Sequence, residues 1–152
     1  MEENKNIGVT TKIHSISLNN FKVADISKEQ KKSLNKDKFA FEFNMNVKIE
    51  PKKKEITIHN LTTIFADDSK TNYLGEIEAT GVFELQNFEE VTEASKGMMP
   101  NGIIAMYIGL LLSTTRGMLL LKTEGTAIEG ALMPIVNTGS FFSPKTTAEQ
   151  KK

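Results

Sequence analysis

The chain has 152 residues, 39% of them hydrophobic and 25% charged, and its 19 basic and 19 acidic residues cancel to zero formal net charge. This length suits one domain with a hydrophobic core. The zero net charge excludes a net positive electrostatic field that would attract nucleic acid or an acidic substrate. The absence of cysteine excludes disulfides, thiolate nucleophiles and thiolate metal sites. Because the polar N-terminus lacks the apolar stretch of a signal peptide, we expect a cytoplasmic protein.

The first patterned stretch, residues 11–25, predicts a β-strand. Its apolar residues break strict alternation between Ile13 and Ile16, which predicts a β-bulge at that point. The polar residues before it, 1–10, indicate a disordered leader. The lysine-rich residues after it, 27–38, indicate a solvated loop.

The clearest pattern in the chain is the alternation of apolar and polar or small residues over positions 39–49. Period two over this length predicts a half-buried strand with one apolar face. Aromatic side chains on a sheet also form stacking platforms for nucleic acid. Because this is the apolar face of the predicted sheet, we expect it instead to lie in the core beneath a helix. The face consists of Phe39, Phe41, Phe43, Met45, Val47 and Ile49.

Two more strands follow, over residues 55–66 and 72–85. The first of them changes the phase of its apolar positions through Leu61 to Ile64 and Phe65, which predicts another bulge. The second is apolar on one face and carries Glu76, Glu78 and Glu84 on the other. Short polar turns between these strands predict an antiparallel meander with one apolar side.

The most apolar stretch of the chain begins at Asn101, ends at Lys122 and predicts one long helix packed on the sheet. Arg116 is the only charged residue in its interior. Small residues recur at every fourth position, which on a helix makes a stripe that another backbone can approach closely. We predict that this stripe serves oligomer contacts or helix–sheet packing. It consists of Ala105, Gly109, Ser113 and Gly117.

The same stretch is long enough to span a membrane, since about 20 apolar residues cross a bilayer. Arg116 counts against a span, because a central arginine costs roughly 2.5–3.5 kcal/mol on insertion scales. Small residues spaced by four are, however, a packing device of membrane helices. One alternative hypothesis is therefore a membrane-anchored protein that uses residues 101–122 as its span.

After the helix, residues 123–137 form a loop that returns over the structure, and we expect residues 133–136 to pack down on it. Residues 143–152 are a polar tail. The predicted fold is therefore α+β: a four-stranded antiparallel meander followed by one long helix packed on it, in a single domain over residues 11–142.

The chain shows no catalytic or metal-binding pattern. Its two histidines, His14 and His59, lie in separate predicted strands, so we expect no zinc site. No glycine-rich phosphate loop follows a strand. We therefore predict no enzymatic activity and no cofactor. The alternative, an enzyme with carboxylates as its acids and bases, requires strongly perturbed carboxylates in a cleft.

The order and spacing of these elements resemble the SecB export-chaperone family over residues 11–142. As in that family, four strands are followed by an acidic loop, a long helix and a return loop. The matching motifs are Gly81-Val82-Phe83 at the end of the fourth strand, Pro100-Asn101 at the helix entry, Arg116 within the helix, and Pro134-Ile135-Val136-Asn137 after it.

The resemblance implies a cytoplasmic homotetramer, a dimer of dimers, without catalytic activity. Family members hold unfolded preproteins in grooves lined by aliphatic and aromatic side chains and deliver them to the SecA motor. We therefore predict a SecB-like holdase with unfolded polypeptide or preprotein clients, without nucleic-acid binding or membrane insertion. Methionines suit such a groove, because they adapt to many shapes. The predicted groove residues are Met98, Met99, Tyr107, Met133, Ile135, Phe141 and Phe142.

The chain also departs from the family pattern. Family members carry a second C-terminal helix, and an acidic sheet face and tail that engage the SecA motor, whereas the tail here is lysine-rich. The glutamates of the fourth strand replace only part of that acidic surface. This departure counts against motor docking and favours an alternative, a SecB-like chaperone of a toxin–antitoxin system.

Overall fold

The computed structural model describes residues 7–142, so residues 1–6 of the predicted leader and the predicted tail, 143–152, lie outside the described residues. The strands are β1 (Thr11–Val23), β2 (Ala40–Glu50), β3 (Glu55–Phe65) and β4 (Tyr73–Leu85). The α-helices are α1 (Lys28–Ser33), α2 (Phe88–Ala94) and α3 (Asn101–Thr123). Short 3-10 helices lie at Lys36–Lys38, Pro51–Lys53 and Thr138–Phe142. The α+β class and the long helix after four antiparallel strands are confirmed.

The strand order departs from the predicted meander. The sheet runs β1-β4-β3-β2, with every neighbouring pair antiparallel. Only β2, β3 and β4 form a meander through short turns, and β1 lies beside β4 at the opposite edge from β2. The reason is the connection after β1, residues 24–39, which is long enough to cross the end of the sheet and makes a Greek-key-like arrangement.

The predicted bulge in β1 is confirmed. The pairing of β1 with β4 shifts register between Ile13 and Ser15, and it shifts again between Leu18 and Asn20. These two irregularities allow the strand to bend along β4, as bulges near sheet edges commonly do.

The bulge predicted in β3 is confirmed at the end of the strand, where its register with β4 shifts between Ile64 and Phe65. The change of face predicted from Leu61 onward is wrong, because buried and half-exposed residues alternate along all eleven positions of this strand. The apolar pattern misled this prediction because two polar side chains, Asn60 and Thr62, occupy the buried face. The Asn60 amide nitrogen donates to the Thr62 hydroxyl over 2.9 Å, which satisfies part of their hydrogen-bonding capacity inside the core.

Helix α3 covers one face of the sheet, over β4, β1 and β3. The ring of Tyr107 stacks on that of Phe83 with centroids 4.6 Å apart and planes within 12°. Gly81 is needed beside this pair, since a Cβ there would lie 2.7 Å from the Phe83 ring. The buried helix residues are Ile103, Ile104, Tyr107, Ile108, Leu111, Leu112, Thr115, Leu119 and Thr123.

Two short helices were not predicted from the sequence. Helix α1 replaces part of the predicted loop and begins with a capping box, in which Ser27 and Gln30 each bond the other's backbone nitrogen. Helix α2 lies in the acidic stretch after β4 and buries Phe88 and Val91. Both are too short to show helical periodicity, so only their capping and burial identify them.

Candidate functional site

The return segment, residues 133–142, lies along α3 and runs antiparallel to it. Arg116 Nε donates to the carbonyl oxygen of Met133 over 2.8 Å, and its Nη2 donates to that of Pro134 over 3.0 Å. About two turns earlier on α3, the methyl group of Thr138 lies 3.8 Å from the position that a Cβ on Gly109 would occupy. The arginine and the proline motif noted in the sequence are therefore one structural unit.

Replacing Arg116 with methionine should release this segment. The substitution keeps a long apolar stem but removes both donors, and hydrogen bonds from charged groups contribute roughly 1.5–3 kcal/mol each at most. We expect a loss of about 1–3 kcal/mol in unfolding free energy and faster amide hydrogen exchange in residues 134–142. Arg116→Lys should keep only part of the protection from hydrogen exchange, because the lysine ammonium lacks the planar guanidinium that donates to both carbonyl oxygens. Unchanged exchange in Arg116→Met would show that the segment is held by other contacts.

Five of the predicted groove residues form an apolar rim beside α3. The side chains of Met98, Ile135 and Phe141 are 70%, 88% and 36% exposed, and Met99 and Phe142 are half-buried against the core. The two methionines precede the start of α3, and the other three belong to the return segment that packs along it. We call these five residues the apolar rim. Their role in binding a client stays a prediction.

The other two predicted groove residues belong to the core. Tyr107 is fully buried, and Met133 is 1% exposed. Burial raises the pKa of the Tyr107 hydroxyl, while its 2.7 Å hydrogen bond with the Thr11 hydroxyl acts in the opposite direction. Neither side chain is at the surface of the subunit, because α3 turns Tyr107 onto the sheet and the side chain of Met133 packs in the same core. Within the predicted packed-down stretch 133–136, Pro134 and Ile135 are exposed, so only part of this stretch packs down.

An apolar surface that the sequence had assigned to the core lies on β2. The helix-facing row of this strand is only half-buried, because α3 packs over the other three strands. The alternation identified the face correctly, but no local pattern tells which strand the helix leaves uncovered. We call this set the β2 row: Phe41, Phe43, Met45, Val47 and Ile49.

The small-residue stripe divides along α3. Gly109 receives the return segment, and Ala105 beside it is half-buried. Ser113 and Gly117 are exposed, and a Cβ on Gly117 would meet nothing within 4 Å, so this half of the stripe does not pack on the sheet. Large apolar side chains flank it on the outer face of the helix: Met106, Leu110, Leu120 and Leu121.

The opposite face of the sheet is not a free acidic surface. The three glutamates on this face of β4 each have a lysine or imidazole partner on a neighbouring strand, so their carboxylates are already engaged within the sheet. The pairs are Lys22–Glu76 at 3.2 Å, His59–Glu78 at 2.6 Å and His14–Glu84 at 2.9 Å. The two histidines are thus strand-face partners of carboxylates on separate strands.

Residues 7–142 contain no group of three or more histidine, aspartate or glutamate side chains placed to hold a metal ion. A polar cleft of about 520 Å³ lies between α1 and the start of β4, lined in part by Gln30, Lys38, Asp67 and Thr71. The pKa of Asp67 is lowered by hydrogen bonds from the Ser69 side chain and backbone, so this carboxylate serves the β3–β4 turn. It is not tuned as a general base.

Helix α3 has the length and composition of a membrane span. Its most apolar 18-residue window has a mean hydropathy of 1.6, and 44% of that window is buried within the domain. Because a helix buried in a protein core meets the same criterion, this is weak evidence for a span.

Comparison with protein-family profiles and with characterised protein sequences finds no match. Among solved structures, the chain is similar to the SecB-like chaperone Rv1957 of Mycobacterium tuberculosis, solved with a ChAD peptide from the antitoxin HigA1. The alignment covers 83% of this chain and 87% of that one, with 14% identity and a TM-score of 0.51, and it shows a SecB-like fold. A protein of unknown function from Streptococcus agalactiae aligns at 12% identity over 78% of this chain and 90% of that one, with a TM-score of 0.38, too low to indicate a common fold.

Proposed function

We propose that this protein is a SecB-like holdase that binds unfolded polypeptide segments on the apolar rim. The observation that carries the proposal is the exposure of Met98, Ile135 and Phe141 beside α3. Large apolar side chains that the fold leaves exposed in the segments next to one helix offer apolar surface to an interaction partner. The SecB-like fold supports the same conclusion.

The chemistry of the rim suits clients of varied sequence. Methionine has a flexible, polarisable side chain, and phenylalanine and isoleucine offer large apolar contact areas. Surfaces of this kind bind by burying apolar area and do not require one particular set of hydrogen bonds, so they tolerate many partners. The half-buried β2 row offers further apolar area on the same side of the sheet.

The neighbour's bound ligand favours a second candidate within this class. Rv1957 was solved with a peptide from an antitoxin, so a toxin–antitoxin role is a specific alternative to export for this chain. The pairing of Glu76, Glu78 and Glu84 with basic or imidazole partners supports that alternative, since it weakens the acidic surface that a SecA-type motor would meet. Both candidates share client binding on the rim.

The proposal includes the assembly and location that the family resemblance implies. We propose a cytoplasmic homo-oligomer, organised as a dimer of dimers, that acts without catalysis or cofactor. The open half of the small-residue stripe and its flanking leucines support a helix-mediated contact between copies. A second helix packed there would cover Leu110 and Leu120, which are otherwise in contact with water.

An aggregation assay tests the proposed function. We expect the protein to suppress aggregation of reduced insulin. The triple variant Met98→Ser, Ile135→Ser, Phe141→Ser should need about tenfold more protein for equal suppression, because few residues carry most binding energy. The matched control is Val9→Ser, Ile13→Ser, Tyr73→Ser, which removes three exposed apolar side chains outside the rim.

The possible results distinguish an error in the proposed binding site from an error in the proposed function. Full suppression by the rim variant would show that clients bind elsewhere on the protein. An inactive wild-type chain that is folded by circular dichroism would overturn the holdase proposal. Loss of activity in the control variant as well as the rim variant would mean that exposed apolar area in general, and not the rim, holds the client.

A further inference from the structure

The side chain of Asn60 is buried at the centre of β3 with only part of its hydrogen-bonding capacity in use. It is 0% exposed, and its one partner is the buried Thr62 hydroxyl. Its Oδ1 atom is also buried and accepts no hydrogen bond from any residue that the structure describes. Burying an amide oxygen without a hydrogen bond is unfavourable, so contact with water would stabilise this side chain. We call Asn60 and Thr62 the polar pair.

Asn60 lies at the boundary between the core and the half-covered β2 row. It is directly opposite Met45 of β2 on one side and Ala79 of β4 on the other. Ala79 is fully buried, whereas Met45 is only half-buried. Because neighbouring strands are about 4.8 Å apart, a small displacement of the helix above them is enough to bring water to the amide.

Helix α3 has further apolar surface beside it, on the β1 side of the sheet. Two of the five buried side chains of β3 are polar. The helix-facing side chains of β1 are all apolar in its central and last parts, and they are only partly buried. A helix that moves from β3 towards β1 therefore exchanges a partly polar contact for an apolar one, which keeps the loss of apolar burial small. These β1 side chains are Ile16, Leu18, Phe21 and Val23.

The first half of α3 is held to the sheet by specific contacts that its second half lacks. The Tyr107 ring stacks on Phe83, and its hydroxyl bonds that of Thr11 on β1. Within the described chain, the side-chain hydrogen bonds of residues 108–123 all go to the backbone of the helix itself or of the return segment. The second half of α3 can therefore turn about Tyr107 and carry the return segment with it.

We propose that α3 has a second position, in which its C-terminal half turns away from β3 towards β1 and water reaches the polar pair. In this position the Oδ1 atom of Asn60 accepts a hydrogen bond from water, which offsets part of the apolar burial lost over β3. The uncovered side chains of β3 extend the β2 row by one strand. The inference concerns motion within one chain and does not depend on the holdase function.

Thiol labelling tests this motion, because the natural chain has no cysteine. Ile64→Cys places a probe on β3, and Ile77→Cys makes the same change on β4, where the turned helix still covers it. Both isoleucines are 0% exposed. A thiol reagent should modify the Ile64→Cys chain about tenfold faster than the Ile77→Cys chain. Below the unfolding transition, the rate for Ile64→Cys should not change with urea, since a local opening exposes little surface.

Replacing the polar pair tests its part in the motion. Asn60→Leu combined with Thr62→Val makes the buried face of β3 apolar, so labelling of Ile64→Cys should slow about tenfold. Thr115→Val is the matched control, because this hydroxyl is equally buried but already donates to the Leu111 carbonyl oxygen over 2.8 Å. In the control the labelling rate should stay within about twofold of its original value.

Three results would contradict the proposal. Equal, urea-dependent labelling at both positions would mean that the core opens only by global unfolding. Faster labelling of Ile77→Cys than of Ile64→Cys would place the opening on the wrong side of the sheet. An unchanged rate after replacement of the polar pair, in a chain that circular dichroism shows to be folded, would mean that Asn60 has no part in the motion.

Discussion

Replacing Tyr107 with alanine is expected to lower the free energy of unfolding by about 3–5 kcal/mol, the range for large aromatic-to-alanine changes in cores. Tyr107 is fully buried where α3 meets the sheet, and its ring stacks on Phe83. Truncation leaves a cavity at the centre of this contact and removes the partner of the Thr11 hydroxyl. Urea denaturation measures this loss of unfolding free energy. The protein concentration is kept the same for both chains, because assembly also contributes to apparent stability.

Tyr107→Phe is the matched control for that experiment. It keeps the ring stacking on Phe83 and removes only the hydroxyl, so the expected loss is about 0.5–1.5 kcal/mol. The wild type should also lose stability as the pH rises above 10, since burial raises the pKa of this hydroxyl in the folded chain above its unfolded value. The phenylalanine variant should lose less over the same range. A cost below 1 kcal/mol for Tyr107→Ala would mean that the helix–sheet contact does not depend on this ring.

Replacing Gly117 with leucine is expected to halve the mass of the assembly while leaving the folded chain intact. A Cβ at this position meets nothing within 4 Å, so the larger side chain causes no clash within one chain. In a dimer of dimers joined through the helices, the added leucine would hold the backbones apart at the small-residue stripe. Multi-angle light scattering measures the mass, and thermal unfolding shows that the fold is preserved.

Gly117→Ser is the control for this effect. It keeps the position small, as Ser113 already is one turn earlier, so the mass should not change. Gly109 is a poorer position for the same test, since a leucine there would also push Thr138 and displace the return segment. A tetramer that persists in Gly117→Leu would show that the outer face of α3 serves another purpose. The apolar rim lies outside the open half of the small-residue stripe, so client binding can be measured in both Gly117 variants.

Polar residues inside the core limited the sequence-based prediction. Period two identified the helix-facing side of β4 and of β2, because no polar side chain interrupts it. In β3, Asn60 and Thr62 interrupt the same signal while remaining fully buried. Their burial depends on a hydrogen bond between them and on the neighbouring strands, neither of which a hydrophobic pattern contains.

The candidate site was predicted in part. Met98, Ile135 and Phe141 are apolar residues in loops or short turns, where burial by a regular element is not expected, and they are exposed. Tyr107 was placed in the groove although it shares a helix face with Ile103, Ile104 and Leu111, which are also buried. Helical periodicity alone would have placed Tyr107 in the core. For Met133, no local signal exists, because its side chain is buried against core residues that are distant in the chain.

The sequence by itself determined the four strands, the long helix that follows them and the apolar face of β2 and β4, because these depend on the local spacing of side chains along the chain. Only the tertiary structure decided that β1 lies beside β4, that α3 leaves β2 half-covered, and that Arg116 holds the return segment. Each of these depends on contacts between residues far apart in the chain. Strand order and helix placement are settled by the whole balance of burial and loop closure, which no single stretch of residues specifies.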